Sequence, residues 1–228
     1  VVAYQTAWFK CHYPREYMAA LLTSVLDSQE KVAEYIAECK ENGIALLPPD
    51  INESGLSFTV SGPNIRFGLA ALKGVGRGLV NAVIAEREQG GAFTSFPEFC
   101  SRMYESDLNK RVLDSLIRSG SFDSMGYRRS QLLKVYDQVV DSIARDPRQN
   151  LDGQFDLFGG GGDVVSIPQM TLPDIPEFSR GELMSMEKEL TGLYLSGHPM
   201  DEYREQAKKL HAVPIAAIME DSHEEQDK

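Results

Sequence analysis

Apolar residues in this chain recur at helical spacing, but in short runs that proline or glycine interrupts, and this limits the fold more than any other feature. Tyr17, Leu21, Leu22 and Val25 make one stripe behind Pro14, which sits where a first helical turn begins. Val32, Ile36 and Cys39 make a second, with Gly43 as its stop. Val80, Val83 and Ile84 form a third. Ser95 and Glu98 read as a capping box before Phe99, Cys100 and Met103. Asn109 is a good N-cap for a helix carrying Leu113, Leu116 and Ile117, closed by Gly120. The longest helix is expected over 128–144, where Leu132, Tyr136, Val139 and Ile143 recur at intervals of four, three and four. Pro48-Pro49 forces an extended passage, after which 57–60 and 65–67 flank Ser61-Gly62-Pro63-Asn64 and predict one short β-hairpin. Residues 146–178, with Gly159 to Gly162 consecutive and no helical period, read as an extended Gly/Pro-rich arm. Helix resumes after Ser179, whose partner Glu182 completes a second capping box ahead of Leu183, Met186 and Leu190, and a short helix is expected over 203–210. The expected fold is mainly α: a small helical bundle with one short β-hairpin and an extended arm.

Composition narrows the function. No run of about 18 apolar residues exists, so no membrane span is expected. The start, Val1-Val2-Ala3-Tyr4, has neither Met nor signal-peptide character and reads as a piece cut from a longer chain. Cys11, Cys39 and Cys100 are far apart and form no Cys-x-x-Cys pair, which points to buried, reduced thiols in a cytoplasmic protein rather than a disulfide scaffold or zinc ribbon. The net charge of −11 at first disfavours a nucleic-acid partner. Its distribution does not: residues 1–63 carry −4, 64–145 carry +3 and 146–228 carry −10.

The mildly basic segment holds the most informative motif. Lys73-Gly74-Val75-Gly76-Arg77-Gly78, behind Phe67-Gly68-Leu69-Ala70-Ala71-Leu72 and ahead of a helix, has the pattern of a helix-hairpin-helix. Glycines there allow a tight turn and close approach to a phosphate, whose charge meets the free N–H groups of the following helix. Lys73 and Arg77 stand beside the turn to add direct charge. The same residues would equally serve a plain inter-helix turn. A possible second unit follows at Leu116-Ile117-Arg118-Ser119-Gly120, which makes the motif tandem, with Lys110, Arg111, Arg118 and Gly120 as further candidate DNA contacts. In the arm, Gln154-Phe155-Asp156-Leu157-Phe158 reads as a linear docking peptide: Leu157 and Phe158 would fill an apolar pocket, with Gln154 and Asp156 at its edge. A fold-back onto the chain's own domain is the alternative. Cys11-His12 and His198 lack a third partner at metal-ligand spacing and are read as structural. No phosphate-binding Gly-x-x-x-x-Gly-Lys loop, nucleophile elbow or paired catalytic acid occurs.

Five ordered runs then converge on one family. Tyr4-Gln5-Thr6-Ala7-Trp8-Phe9-Lys10-Cys11-His12-Tyr13-Pro14, Leu47-Pro48-Pro49-Asp50-Ile51-Asn52, the stretch 66–76, Leu108-Asn109-Lys110-Arg111 and Glu189-Leu190-Thr191-Gly192-Leu193-Tyr194-Leu195-Ser196-Gly197-His198-Pro199 closely resemble the alpha subunit of bacterial DNA polymerase III. The resemblance implies that 1–63 is the end of a fingers domain, 64–145 a tandem helix-hairpin-helix region on duplex DNA, 146–178 an arm with a motif for the beta sliding clamp, and 179–228 a connector toward an oligonucleotide-binding barrel. It further implies a parent DNA-directed DNA polymerase that uses Mg2+ held outside this chain, with no cofactor within it, and other replicative subunits as partners. The rival expectations are a helix-hairpin-helix repair glycosylase or nuclease, for which Glu98 and Asp107 are the nearest acids, and a non-catalytic clamp adaptor.

Overall fold

Proline, glycine and capping residues set the element boundaries in the computed structural model, which describes residues 1–25, 28–106, 108–145, 170–197, 199–210 and 212–213. Helix α1 (Val2–His12) ends at Tyr13, and α2 (Pro14–Ser24) starts on Pro14, where a missing N–H costs nothing. Helix α3 (Gln29–Glu41) buries Val32, Ile36 and Cys39 as their spacing predicts, and Gly43 turns the chain at φ +71°. The buried face of α2 is rotated from the expected one: Met18, Ala19 and Leu22 are buried, and Tyr17, Leu21 and Val25 pack at the margin. That face is the one pinched between α3 and the sheet.

The expected hairpin forms. Strand β2 (Thr59–Ser61) pairs antiparallel with β3 (Asn64–Arg66) around Gly62, which sits at φ +58°. A third strand, β1 (Leu46–Leu47), lies parallel to β3, giving the order β1-β3-β2. With two residues, β1 is too short to show a period, so spacing could not reveal it.

The proline passage then locks this sheet to the helices that follow. Asp50 Oδ1 accepts the Asn52 and Glu53 N–H groups, and Ser54 Oγ donates to the Phe67 carbonyl. Ile51 N donates to the Ser121 carbonyl, while the Asn52 side chain bonds the Phe93 backbone in both directions. At Gly68 a Cβ would stand 2.4 Å from the Ser57 carbonyl carbon, so only glycine permits this approach.

Helices α4 (Arg77–Gly90), α5 (Phe96–Arg102), α6 (Lys110–Arg118) and α7 (Arg129–Ala144) make the bundle, and α8 (Arg180–Thr191) packs on α6. Phe93, Phe96, Phe99 and Phe122 meet edge to face at its centre. Asn109 Oδ1 caps α6, and Ser179 with Glu182 makes the full box on α8. The box at Ser95 is only half made: Ser95 Oγ accepts from Glu98 N, but the Glu98 carboxylate turns to Thr94 and Arg102. On α8 the buried residues are Met184, Glu187 and Leu190 rather than Leu183 and Met186, because a buried arginine partners Glu187. Cys39 and Cys100 are buried as expected, whereas Cys11 is exposed on α1, a helix with no buried residue.

Residues Val1–Leu195 form one compact unit with a single apolar core, and Ser196–Lys228 a second. The described part of the second unit is a 3-10 turn, Pro199–Tyr203, followed by α9 (Arg204–Lys209).

Candidate nucleic-acid interface

The first hairpin is built from a 3-10 turn at Leu69–Ala71, the connection 72–76 and α4. Leu72, Val75, Leu79, Val80 and Val83 bury its apolar side, and Lys73 N donates to the Leu190 carbonyl, which pins the turn to α8. Gly74 adopts φ +82° with its Cβ position 3.3 Å from Ser115 Oγ, so the turn itself requires glycine. Gly76 and Gly78 are different. Nothing lies within 4 Å of either Cβ position, and Gly76 has an ordinary φ of −78°. Packing does not require glycine at these two positions, and glycine inside a helix costs roughly 0.5–1 kcal/mol against alanine. Their effect is to leave the main chain bare at the start of α4. No side chain caps that start, and the helix's first turn of N–H groups faces outward beside Lys73 and Arg77. Among the described residues neither cation makes an ion pair.

The second hairpin, α6 to α7, repeats this geometry at a place that the sequence reading did not name. Gly126 adopts φ +80° three residues before the first residue of α7, as Gly74 does before α4. The N-cap dihedrals agree closely as well, φ −78° and ψ 147° at Gly76 against φ −79° and ψ 136° at Arg128. The counterpart of Gly74 is therefore Gly126, and Gly120 has another task. Gly120 is buried at φ +84°, and its Cβ position lies 2.3 Å from Arg129 Nη2. It is glycine so that this guanidinium can pass.

Arg129 closes the turn from inside. Its Nε donates to both Asp123 carboxylate oxygens at 3.1 Å, its Nη2 to Asp123 at 2.6 Å and Glu187 at 3.1 Å, and its Nη1 to the Arg118 carbonyl at 3.1 Å. The Arg129 and Glu187 side chains are only 7% and 2% exposed. Burial opposes charging Arg129, yet hydrogen bonds and charge from Asp123 and Glu187 hold its pKa above the ordinary value. At Asp123 burial prevails over the pairing and pushes the carboxyl pKa up.

The other second-hairpin candidates are engaged within the chain. Lys110 pairs with Asp137 at 2.9 Å and Asp141 at 3.2 Å, and Arg118 with Glu189 at 2.8 Å. Arg111 is exposed and makes no ion pair among the described residues. The start of α7, unlike that of α4, is filled. Arg129 N and Ser130 N donate to the two carboxylate oxygens of Glu177 at 2.7 and 3.0 Å, and Phe178 N donates to the same carboxylate at 2.9 Å. Burial disfavours the charged form of Glu177, but these hydrogen bonds outweigh it and hold the pKa below its ordinary value.

Glu177, Glu187, Arg129 and Gly126 are thus the residues that spacing missed. One signal was present: α7 has a strong apolar period but Arg128 at its N-cap, where Ser, Thr, Asp or Asn is usual, so an acid from elsewhere has to serve. Gln154, Asp156, Leu157, Phe158 and His198 lie outside the described residues. Among the described residues no three His, Cys, Asp or Glu side chains gather to hold a metal, and no helix is long and apolar enough to cross a membrane.

A family model described as a helix-hairpin-helix motif matches residues 43–132. Proteins named DNA polymerase III subunit alpha align along most of the chain. The one from Saccharopolyspora erythraea is 45% identical over 206 residues, covering 88% of this chain and 17% of that protein. That from Mycobacterium tuberculosis H37Rv is 42% identical over 205 residues, with the same coverage. That from Neisseria meningitidis is 39% identical over 212 residues, covering 92% of this chain and 18% of that protein. The chain spans about a sixth of the length of the relatives it matches.

Because Arg129 compensates the buried Glu187, Arg129→Leu is expected to destabilise the protein by roughly 3–5 kcal/mol. Urea unfolding measures this, and a loss below about 1 kcal/mol would show that the network carries little stability.

Proposed function

Since the chain is homologous to a stretch of bacterial DNA polymerase III subunit alpha and contains a helix-hairpin-helix segment, we propose that it grips duplex DNA by its sugar-phosphate backbone through the first hairpin. One observation carries this reading: the uncapped start of α4, bare at Gly76 and Gly78 and flanked by Lys73 and Arg77. A phosphate there accepts main-chain N–H groups at the positive end of the helix dipole, and the two cations add Coulomb attraction without reading bases. Gly74 and Val75 hold the turn, Gly74 by its positive φ and Val75 by its buried side chain. A net charge of −11 is compatible with this because the contact is local and main-chain based.

In the whole protein this grip would serve deoxynucleotide addition to a primer by metal-assisted phosphoryl transfer. The Mg2+ ions and their carboxylates belong in this reading to residues outside the chain. Glycosylase or nuclease chemistry is less well supported, since Glu98 is engaged by Thr94 and Arg102 and its pKa is held below the ordinary value against the effect of burial.

The arm adds processivity in this reading. Gln154, Asp156, Leu157 and Phe158 would dock the beta sliding clamp, and tethering to a ring around DNA raises the local concentration of polymerase at the primer end. The support is the sequence resemblance of this peptide.

Gly76→Val with Gly78→Val should lower duplex affinity about tenfold, the worth of one or two charge-assisted hydrogen bonds. The loss should be the same for unrelated sequences in anisotropy titrations at fixed salt. Unchanged affinity in the folded variant would refute the hairpin grip. Leu157→Ala with Phe158→Ala should lower clamp affinity by at least about tenfold, as expected for two anchor residues, while duplex affinity stays constant. Wild-type clamp affinity in a surface-binding titration would remove the docking assignment.

A further inference from the structure

The start of α7 has the backbone geometry of the start of α4, but it is occupied by the chain's own Glu177. We infer that this start is a second phosphodiester seat for nucleic acid, and that segment 173–178 is a clasp that keeps it closed until duplex DNA displaces it. The inference rests on the hairpin reading above and extends it.

Three observations support it. First, the seat holds an oxyanion: a carboxylate bridges the Arg129 and Ser130 N–H groups, the same donors that a phosphate takes at a helix start. Second, the turn before it matches the first hairpin, with Gly126 for Gly74 and Arg128 for Gly76. Third, the clasp is laid on the surface. None of residues 171–180 is buried, and the clasp is held through its own carbonyls: Gln131 Nε2 to Pro173 at 2.9 Å, Arg128 Nη1 to Ile175 at 2.7 Å and Ser130 Oγ to Pro176 at 2.9 Å. Such bonds exchange readily for water, so lifting the clasp uncovers little apolar surface. Lifting it also frees the Arg128 guanidinium from Ile175 and Asp174. That cation then stands beside the seat as Arg77 stands beside the first one.

The test is duplex affinity of the full chain across a salt series, for wild type, Glu177→Gln and Ser130→Ala. Ser130→Ala loosens the clasp by one bond and keeps both amides. Glu177→Gln should raise affinity at least threefold and steepen the slope of log affinity against log salt by about one, the mark of one more phosphate contact. Ser130→Ala should change affinity in the same direction by less. No gain in either variant, with the wild-type melting temperature retained, overturns the clasp. If Glu177→Gln lowers the melting temperature sharply, Ser130→Ala alone decides. Inorganic phosphate, followed by the amide shifts of Arg129 and Ser130 in Glu177→Gln, separates the sources. Shifts with phosphate but none with duplex overturn the nucleic-acid assignment. Failure of the underlying reading looks different: wild type then binds no duplex, or Gly76→Val with Gly78→Val changes nothing.

Discussion

The first N–H groups of an α-helix have no acceptor inside the helix, and the way each helix meets that demand organises this molecule. Helices α5, α6 and α8 use a side chain at the N-cap, Ser95, Asn109 and Ser179. Helix α7 borrows Glu177 from a segment that follows it by more than thirty residues. Helix α4 has no side-chain cap and presents glycine at Gly76 and Gly78. The uncapped start therefore stands out against four that are satisfied. It is also the one beside two cations without ion-pair partners among the described residues.

Charge follows the same logic. The segment 64–145 carries +3, but much of its positive charge is committed internally. Arg129 stabilises the buried Glu187, Arg102 joins Glu86 and Glu98, Lys110 spans Asp137 and Asp141, and Arg118 meets Glu189. Lys73 and Arg77 remain exposed on the first hairpin. A count of basic residues would spread the interface over both hairpins, whereas the ion pairs concentrate it on one. The proline passage around Asp50 to Ser54 supports that hairpin from behind, because its bonds to Ser121, Phe93 and Phe67 join the sheet to the bundle.

What could be read from the sequence was local. The β-hairpin at Gly62, the stop at Gly43, the caps at Asn109 and Ser179 and the long helix over Arg129–Ala144 each depend on residues a few positions apart. The features that escaped depend on distant partners. Strand β1 exists only because β3 lies beside it, Glu187 is buried only because Arg129 reaches it, and Gly120 admits a side chain nine residues on. The first-hairpin candidates Lys73 to Gly78 cluster at one helix start. The second-hairpin candidates did not resolve into a site, because the sequence pattern pointed to Gly120 while the matching turn is at Gly126.

The central claim is that duplex DNA is held by main-chain N–H groups at the start of α4. Titration of isotope-labelled protein with short duplexes of unrelated sequence tests it directly, by amide shifts. The account predicts that the Gly76, Arg77, Gly78 and Leu79 amides shift most, and alike for every sequence. Shifts that leave these four amides unmoved, or that change with base sequence, would contradict it.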